Sequence, residues 1–582
     1  MSNLTDRRIG ALRAAMKAAG LAAYIIPCSD PHGSEFLPGH YAACNWFSGF
    51  TGDSCTLVVT MTESALWIDG RYFIQADREL AGSEVRPMRM KEPGIPTVEA
   101  YLAGALESGQ ILGFDARCLS HALAGRLEKA LSPKGAAVKD IDLVSSIWDS
   151  ERPALPASEA WLVEEEAAGM SIAAKLAAAR GALAAEGADA LAEGRLDCVA
   201  WLFNLRAMDI ECTPYALAFC LLEKDACRLF IDSSRLPAGV QAALAAAGAT
   251  LCGYGDSCDA CAGLAGGTVL YDPAGANHAL CTALKQNQKI IPLAKTDPLL
   301  LLKAVRSEGE LAATRRAHLQ DGAAMVRFQR ELERRLAAGE TLDELDIDPI
   351  LHKYRAAWPD FVTESFPTIA AWGPNAASMH YHAGPDNHSA LGGHGFLLVD
   401  SGATYRTGTT DITRTYPLGP LSRDEVNFYT WTLQSHIEMA RAVWLDDCTG
   451  GELDTLAREP LWQHLINYRC GTGHGVAHIG MVHEGPQSLR PHNGVVFKPG
   501  MVITDEPGVY ETDLVGIRID NELEVVEKTV NQYGRWLAFA PLTWVPIDTA
   551  ALDAAQLTAG QKEWLNWYHA ETARRLAPLL TE

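Results

Sequence analysis

Residues 396–416 read FLLVDSGATYRTGTTDITRTY. FLLVD runs apolar into Asp400, and TTDITRTY alternates around Asp411 with the period of a strand. One reading is a hairpin whose turn acids face water. The other is a sheet that ends one strand on a carboxylate and holds a second within the next. The neighbouring sequence has to separate the two.

Working outward, the segment beyond residue 370 holds further groups of the same kind. His474 stands in GTGHGVAHIG, Glu506 in VITDEPGVY and Asp520 in GIRIDNELEVV. Each sits beside a Gly turn or on an expected strand. Asp400, Asp411, His474, Glu506 and Asp520 form a set of four carboxylates and one imidazole, without a thiol. Such donors suit hard or borderline divalent ions: Mn, Mg, Fe, Co or Zn. Four carboxylates neutralise two dications. Two ions roughly 3.5–4 Å apart share a hydroxide and polarise a carbonyl, which is hydrolase chemistry. Taken singly, each acid also fits a turn or cap, and the histidine also fits a hydrogen-bonding loop residue.

The bulk numbers restrict the alternatives. The 582 residues allow about three or four domains. A net charge of −23 argues against nucleic acid as the main partner. The fourteen cysteines are scattered, with no disulfide-stapled module. CDAC, with Cys258 and Cys261, has redox or zinc spacing, but only Cys252 is close by, so ordinary loop thiols are expected. MSNLTDRRIGALRAAMKAAG is too polar for a secretory signal and reads as an amphipathic helix. No run makes a convincing membrane span. A reducing, cytoplasmic setting is expected.

The chain divides by pattern. LAAYIIP, SCTLVVT, SALWID and GQILGFD read as strands, with YFIQADREL and ALAGRLEKAL as helices, up to the Pro-bearing ERPALP at 151–156. After the helical EEAAGMSIAAKLAAARGALAAEG, the plan repeats: YALAFCLLEK and ACRLFID pair, and GTVLYD matches GQILGFD. The expected domains are 1–156, a related α/β domain at 157–300, and 301–582, which opens with the helical GELAATRRAHLQDGAAMVRFQRELERRLAAG.

VDSGATYRTGTTDITRT, GTGHGVAHIGMVHEG, TDEPGVYE and GIRIDNELEVV together resemble the catalytic domain of the Xaa-Pro aminopeptidases. ESFPTIAAWGPNAASMHYH fits the same pattern. SDPHGSEFLPGHYAACNWFSGFTG and ALWIDGRYFIQA resemble the first domain of the long, three-domain cytosolic form, and WLFNLRAMDIECTP its second. The resemblance runs in order along nearly the whole chain. It implies an α/β and α+β protein: two creatinase-N-like α/β domains, then a pita-bread dinuclear metallopeptidase domain with a C-terminal extension.

The resemblance further implies that Asp400, Asp411, His474, Glu506 and Asp520 hold two divalent ions, usually manganese, with zinc, cobalt or iron as alternatives. Asp411 would serve both ions and the fifth carboxylate would bridge them. The implied activity is release of an N-terminal residue preceding proline, with a hydroxide between the ions as nucleophile. His380 and His483 would contact substrate and stabilise the tetrahedral intermediate, and Glu506 would move the proton. Arg518 would orient a bridging carboxylate or bind a chain terminus. Outside the resemblance, His483 beside Glu484 also fits a surface ion pair. The implied partners are short peptides with proline second, with neither nucleic acid nor membrane, in a homodimer to which Trp462 contributes. An Xaa-Pro dipeptidase of the same fold and an impaired peptide-binding homologue are the rival readings.

Three positions depart from the family pattern. Asp520 stands where Glu is expected, one methylene shorter, so the carboxylate falls roughly 1 Å short unless the backbone or the ions shift. Glu522 shares its strand face but lies two residues away, so it is not assigned as a ligand. Cys470 stands where a substrate-pocket histidine is expected, as a wall residue that does not donate like an imidazole. His382 and His478 are neighbouring imidazoles that could compensate, though the sequence does not place them. Ala376 replaces a glycine in GPNAAS, a change in turn packing.

Overall fold

The computed structural model describes residues 4–580. It falls into two compact units. The first reaches to Leu162 and includes Ser171–Glu211 and Tyr215–Leu299; the second comprises Val163–Met170, Cys212–Pro214 and the chain from Leu300 onward.

The first unit contains two sheets of one design. Sheet one orders its strands Val85–Arg89, Ser64–Ile68, Cys55–Thr60, Ala23–Pro27, Ile111–Phe114, Ala137–Asp140. Sheet two orders them Thr250–Cys252, Cys227–Phe230, Phe219–Glu223, Ala190–Glu193, Gly267–Tyr271, Ile290–Ala294. Parallel and antiparallel pairings occur at the same places in both. The repeat expected from GQILGFD and GTVLYD is thus a repeated sheet. The strands alternate with helices that bury one stripe. In Leu4–Ala19, Ile9, Leu12 and Met16 recur at helical spacing and join a core with Tyr24, Ile26 and Leu57. Each such side chain contributes roughly 1.5–3 kcal/mol on burial. Residues 1–3 of the expected first helix lie outside the described residues.

Two local expectations change. The helical run after residue 164 is two helices, Glu165–Ala168 and Ile172–Ala185, because Gly169 adopts φ 66° and Ser171 caps the second. CDAC is not a loop: Cys258 and Cys261 lie in the helix Ser257–Ala262, and burial pushes the Cys261 thiol up to about 12. All fourteen cysteines are unbridged. SDPH near the N-terminus is tied into the first unit by hydrogen bonds. Asp30 accepts the amides of His32 and Ser34, and the buried His32 ring reaches the Gly194 carbonyl at 2.7 Å and the Tyr254 hydroxyl at 2.8 Å.

The second unit has a three-stranded sheet, Ile369–Trp372, Phe396–Ser401, Ile412–Pro417. It also has a four-stranded sheet, Val443–Leu445, Gly534–Pro541, Asn521–Asn531, Val502–Asp505. Helix Glu308–Ala337 begins at a capping box of Ser307 with Glu310, and its Met325, Phe328 and Leu332 share a core with Leu397, Val399 and Ile412. Helices Arg423–Ala440 and Gly450–Trp462 supply Met439, Leu453 and Ala457 to the core with Ile503, Leu523 and Val525. Among the described residues no helix is long and apolar enough to cross a membrane.

Candidate metal centre

The opening stretch forms two adjacent strands. Phe396–Ser401 and Ile412–Pro417 are antiparallel, with Asp400 opposite Thr413. Asp411 immediately precedes the second strand rather than lying within it. Residues opposite each other share a face, as do residues two apart, so the register directs Asp400, Thr413 and Asp411 to one side. The intervening chain turns tightly at Gly402, where a Cβ would lie 1.8 Å from the Thr410 carbonyl oxygen. Asp400 is 8%, Asp411 5% and Asp520 1% exposed, so these are not solvated turn acids.

The remaining groups arrive from other elements. Gly473–His474 pairs with Ser488–Leu489, and a Cβ on Gly473 would meet the Thr504 carbonyl oxygen at 1.8 Å. That close approach sets the backbone of His474. Its Nδ1 lies 3.1 Å from the Gly475 carbonyl, so a proton there leaves Nε2 with a free lone pair. Nε2 is 3.4 Å from both Asp411 Oδ2 and Glu506 Oε1. Glu506 follows strand Val502–Asp505, its amide donating to the Thr472 carbonyl. Asp520 sits between strands Val515–Arg518 and Asn521–Asn531, its amide donating to the Thr413 carbonyl.

The electrostatics are those of a buried anion cluster with little counter-charge. Burial first, then Asp400 and Glu506, push Asp411 well above the usual carboxylate range. Burial, Asp411, Glu506 and Asp400 do the same to Asp520. Glu506 is pushed up to about 7, by burial first, against the lowering effect of Arg518. Burial and the neighbouring His483 hold His474 well below its usual value, which keeps it neutral. Asp400 Oδ1 and Asp520 Oδ1 are buried without hydrogen-bond partners. Neutral imidazole, buried acids and orphaned oxygens are what a divalent-ion site presents, so the residues fit the ions that the sequence implies.

Two arginines hold the acids in place. Arg518 directs Nη2 to Asp400 Oδ2, Nε to Thr413 at 3.1 Å and Nη1 to Tyr510 at 2.7 Å. Arg518 is expected to orient a bridging carboxylate or bind a chain terminus; the carboxylate it meets is that of Asp400, and its buried guanidinium has three protein partners. Arg414, which lies within TTDITRTY but has no role that the sequence assigns, donates to the carbonyls of Asp520 and Val545 and to Asn521. It thereby ties the strand after Asp411 to the segment carrying Asp520. Its one signal in the sequence is a charged residue inside an alternating strand. Helix Glu308–Ala337 adds Asp321, whose carboxylate accepts from Arg355, Tyr405 and Thr410. Thr410 is the neighbour of Asp411, so the fully buried Asp321–Arg355 pair anchors the turn.

The histidines separate by position. His483 meets His474 edge to face, with ring centroids 4.2 Å apart. Glu484, next to it, is buried and lies 3.0 Å from Lys303, so it is not a surface acid. His380 is half-buried in the turn after Gly373–Ala377. Within Gly373–Ala377, Ala376 fills a small core with Ile369 and Leu398.

Residues 312–527 match Metallopeptidase family M24, and 535–582 the C-terminal region of peptidase M24. Residues 8–147 and 151–310 match Creatinase/Prolidase N-terminal domains. The chain is 34% identical to Aminopeptidase P2 of Arabidopsis thaliana, a match covering 99% of this chain and 86% of that protein. The chain belongs to metallopeptidase family M24. A probable Xaa-Pro aminopeptidase P of Coprinopsis cinerea is also 34% identical to this M24 chain, covering 99% of it and 96% of the fungal protein. A crystal structure of X-prolyl aminopeptidase from Caenorhabditis elegans, described as a cytosolic enzyme with a di-nuclear active site, matches at 31% identity and TM-score 0.93, covering 99% of this chain and 96% of that one. A prolidase from Thermococcus sibiricus shares the fold, with TM-score 0.53 at 20% identity over 65% of this chain and 98% of its own. Two creatinase-type N-terminal domains followed by a pita-bread domain make up this M24 chain, as the sequence implies.

The departures from the family pattern find physical settings. Cys470 packs against the cluster of Leu461, Tyr468 and Val509, and burial, then Glu506, pushes its thiol up to about 12. The thiol is therefore neutral. His478 is held elsewhere: its Nε2 lies 2.7 Å from the Ala167 carbonyl and its Nδ1 3.2 Å from Thr314. His382 is exposed. Glu522 is fully buried 3.3 Å from His318 and adds to the negative field on Asp520.

Proposed function

We propose that this chain is an Xaa-Pro aminopeptidase that releases an N-terminal residue from peptides with proline second. The mutual closeness of Asp400, Asp411, His474, Glu506 and Asp520 is the observation that carries the reading. Those five side chains would hold two divalent ions; bound there, the ions supply positive charge for a carbonyl oxygen and acidify water. The oxygen-rich donor set favours manganese, with zinc, cobalt and iron also suited.

The chain's own residues do the rest. Arg518 holds Asp400 in register, and Arg414 holds the Asp520 segment against the Asp411 strand. His474 faces the centre with Nε2. Glu506, pushed up to about 7, would in its ionised form take the proton from the attacking water and return it to the departing proline nitrogen. His483 and His380 donate to the oxygen that becomes negative as the carbonyl is attacked. Cys470 lines the substrate wall and does not donate as an imidazole would.

The proposed domains are 1–156, 157–300 and 301–582. Unbridged cysteines suit a cytoplasmic setting. A homodimer is supported by exposed apolar groups at the end of helix Gly450–Trp462: Trp462 is 44% and Leu465 97% exposed.

A panel of Xaa-Pro-Yaa tripeptides, Xaa-Ala-Yaa controls and Xaa-Pro dipeptides tests the reading. Release of Xaa from the proline tripeptides, well above both other sets, is expected. Turnover confined to dipeptides would replace it with a dipeptidase. Absence of turnover on every peptide would leave a binding protein.

A further inference from the structure

A second group of buried acids lies in sheet two of the first unit. Strands Ala190–Glu193, Gly267–Tyr271 and Ile290–Ala294 run parallel there. Open α/β sheets hold ligands outside the carboxyl ends of such strands. Glu193 is the last residue of the first of them, and Cys198 lies in the following helix, Leu196–Leu202. Asp297 comes shortly after the third strand.

One carboxylate oxygen from Glu193, one from Asp297 and the Cys198 Sγ lie within 4.8 Å of one another. The residues are 3%, 2% and 0% exposed. Backbone amides hold one oxygen of each acid: Arg195 N donates to Glu193 Oε1 at 2.7 Å, and Leu299 N to Asp297 Oδ1 at 2.9 Å. The other Asp297 oxygen, Oδ2, is 3.1 Å from Cys198 Sγ. The other Glu193 oxygen, Oε2, is buried with no hydrogen-bond partner. Arg195 does not meet it in a bidentate pair, because its Nε and Nη2 go to Asp197. Three groups able to lose protons therefore face one another away from water, and no N–H of the chain reaches one of their oxygens.

We propose that Glu193, Cys198 and Asp297 bind one divalent ion of the zinc class as a structural site of the second sheet. Two carboxylates neutralise the ion. The thiolate selects zinc or cobalt over magnesium, calcium or manganese. With zinc–sulfur near ~2.3 Å and zinc–oxygen near ~2.0–2.2 Å, tetrahedral ligand atoms stand roughly 3.5 Å apart. The cluster, with one pair at 3.1 Å and every pair within 4.8 Å, reaches that spacing by small side-chain shifts. A water or a second carboxylate oxygen takes the fourth corner. Binding releases the Cys198 thiol proton, and with it the proton that burial and Asp297 favour on Glu193. All three ligands are buried, which is the closed arrangement of a structural ion. The competing occupant is a proton shared between the two carboxyls.

Cobalt separates the two, because a thiolate ligand gives near-ultraviolet sulfur-to-cobalt charge transfer that the oxygen and nitrogen donors of the catalytic centre do not. The full-length protein is stripped with a chelator and reloaded with Co2+. A charge-transfer band and about three ions per chain are expected. Cys198→Ser should abolish the band and lower the content to about two, with Xaa-Pro turnover within about twofold of the parent. Cys470→Ser should leave the band intact. X-ray absorption at the zinc edge of the unmutated protein needs no variant, and it should record one sulfur scatterer on about a third of the bound zinc. A band that is absent, or that survives Cys198→Ser, overturns the proposal, as does a zinc edge without sulfur.

Discussion

The acids of the candidate metal centre and those beside Cys198 share one problem and solve it differently. Both groups are buried, and both contain a carboxylate oxygen without a partner. In both, burial and neighbouring carboxylates push an acid well above its usual range. The centre around Asp411 stays partly open, with the His474 and Glu506 side chains 16% and 22% exposed. It is also supported by Arg414, Arg518 and the Asp321–Arg355 pair. The trio in sheet two is closed on every ligand and is held chiefly by backbone amides. Sheet one has the same topology, yet among the described residues it has no such cluster at the corresponding ends: Asp115 and Asp142 there pair with an exposed Arg117. A repeated scaffold thus leaves its strand ends free to diverge, and exposure is what separates the proposed catalytic site from the proposed structural one.

Asp411 is where the open site breaks most readily. Asp411→Asn should lower kcat/KM by about a thousandfold or more, equivalent to ~4 kcal/mol of transition-state stabilisation. Ion content at the catalytic centre should fall with it, while Cys198→Ser leaves kcat/KM nearly unchanged. Similar losses in both variants would erase the distinction between open and closed sites.

Asp321→Ala tests the support of the open site. It leaves the Arg355 guanidinium buried and unpaired, so urea denaturation should show a loss of about 3–5 kcal/mol. Because Thr410 loses its hydrogen bond to Asp321, the variant's metal affinity should fall as well. A change below about 1 kcal/mol would mean that the buried pair does not brace the turn.

Acidity sharpens the contrast. In metal-stripped protein Glu506 rises from 4.5 to about 7. Between those values the folded chain keeps a proton that the unfolded chain has released. The stability from this group is therefore fully present below about pH 4.5 and is lost as pH rises through about 7, a change of about 3 kcal/mol. Ion binding displaces that proton, so the gain in Tm on adding manganese should grow between about pH 5.5 and 8. A gain that shrinks over that range would contradict the assignment of Glu506.

Asp520→Glu is expected to have the smallest effect. Restoring the methylene should tighten metal binding by roughly tenfold or less, measured by competition with a chelator. Weaker binding in the variant would show that this backbone has adapted to aspartate.

What is legible in the sequence is local. Apolar runs ending on acids, Gly turns around His474 and the doubled strand pattern of the first two domains are all written in short windows. The five converging residues can be named because each carries its own motif. The supports are not legible, because Arg414 reaches Asp520 and Val545, and Asp321 reaches Arg355 and Thr410, across long separations. Arg518 is visible but its role is not, since a strand arginine reads alike whether it meets a substrate or Asp400. Glu193 and Cys198 are near each other in sequence but share no motif, and Asp297 lies 99 residues beyond Cys198, so only the folded sheet brings the three together.

The most direct test of the central claim is a titration of manganese into chelator-stripped protein, following release of the N-terminal residue from an Xaa-Pro-Yaa peptide and counting bound ions in the same samples. No release is expected without metal, and activity should reach its plateau as the second catalytic ion binds. Full release from metal-free protein, or two bound ions at the centre with no release from any proline peptide, would contradict the assignment.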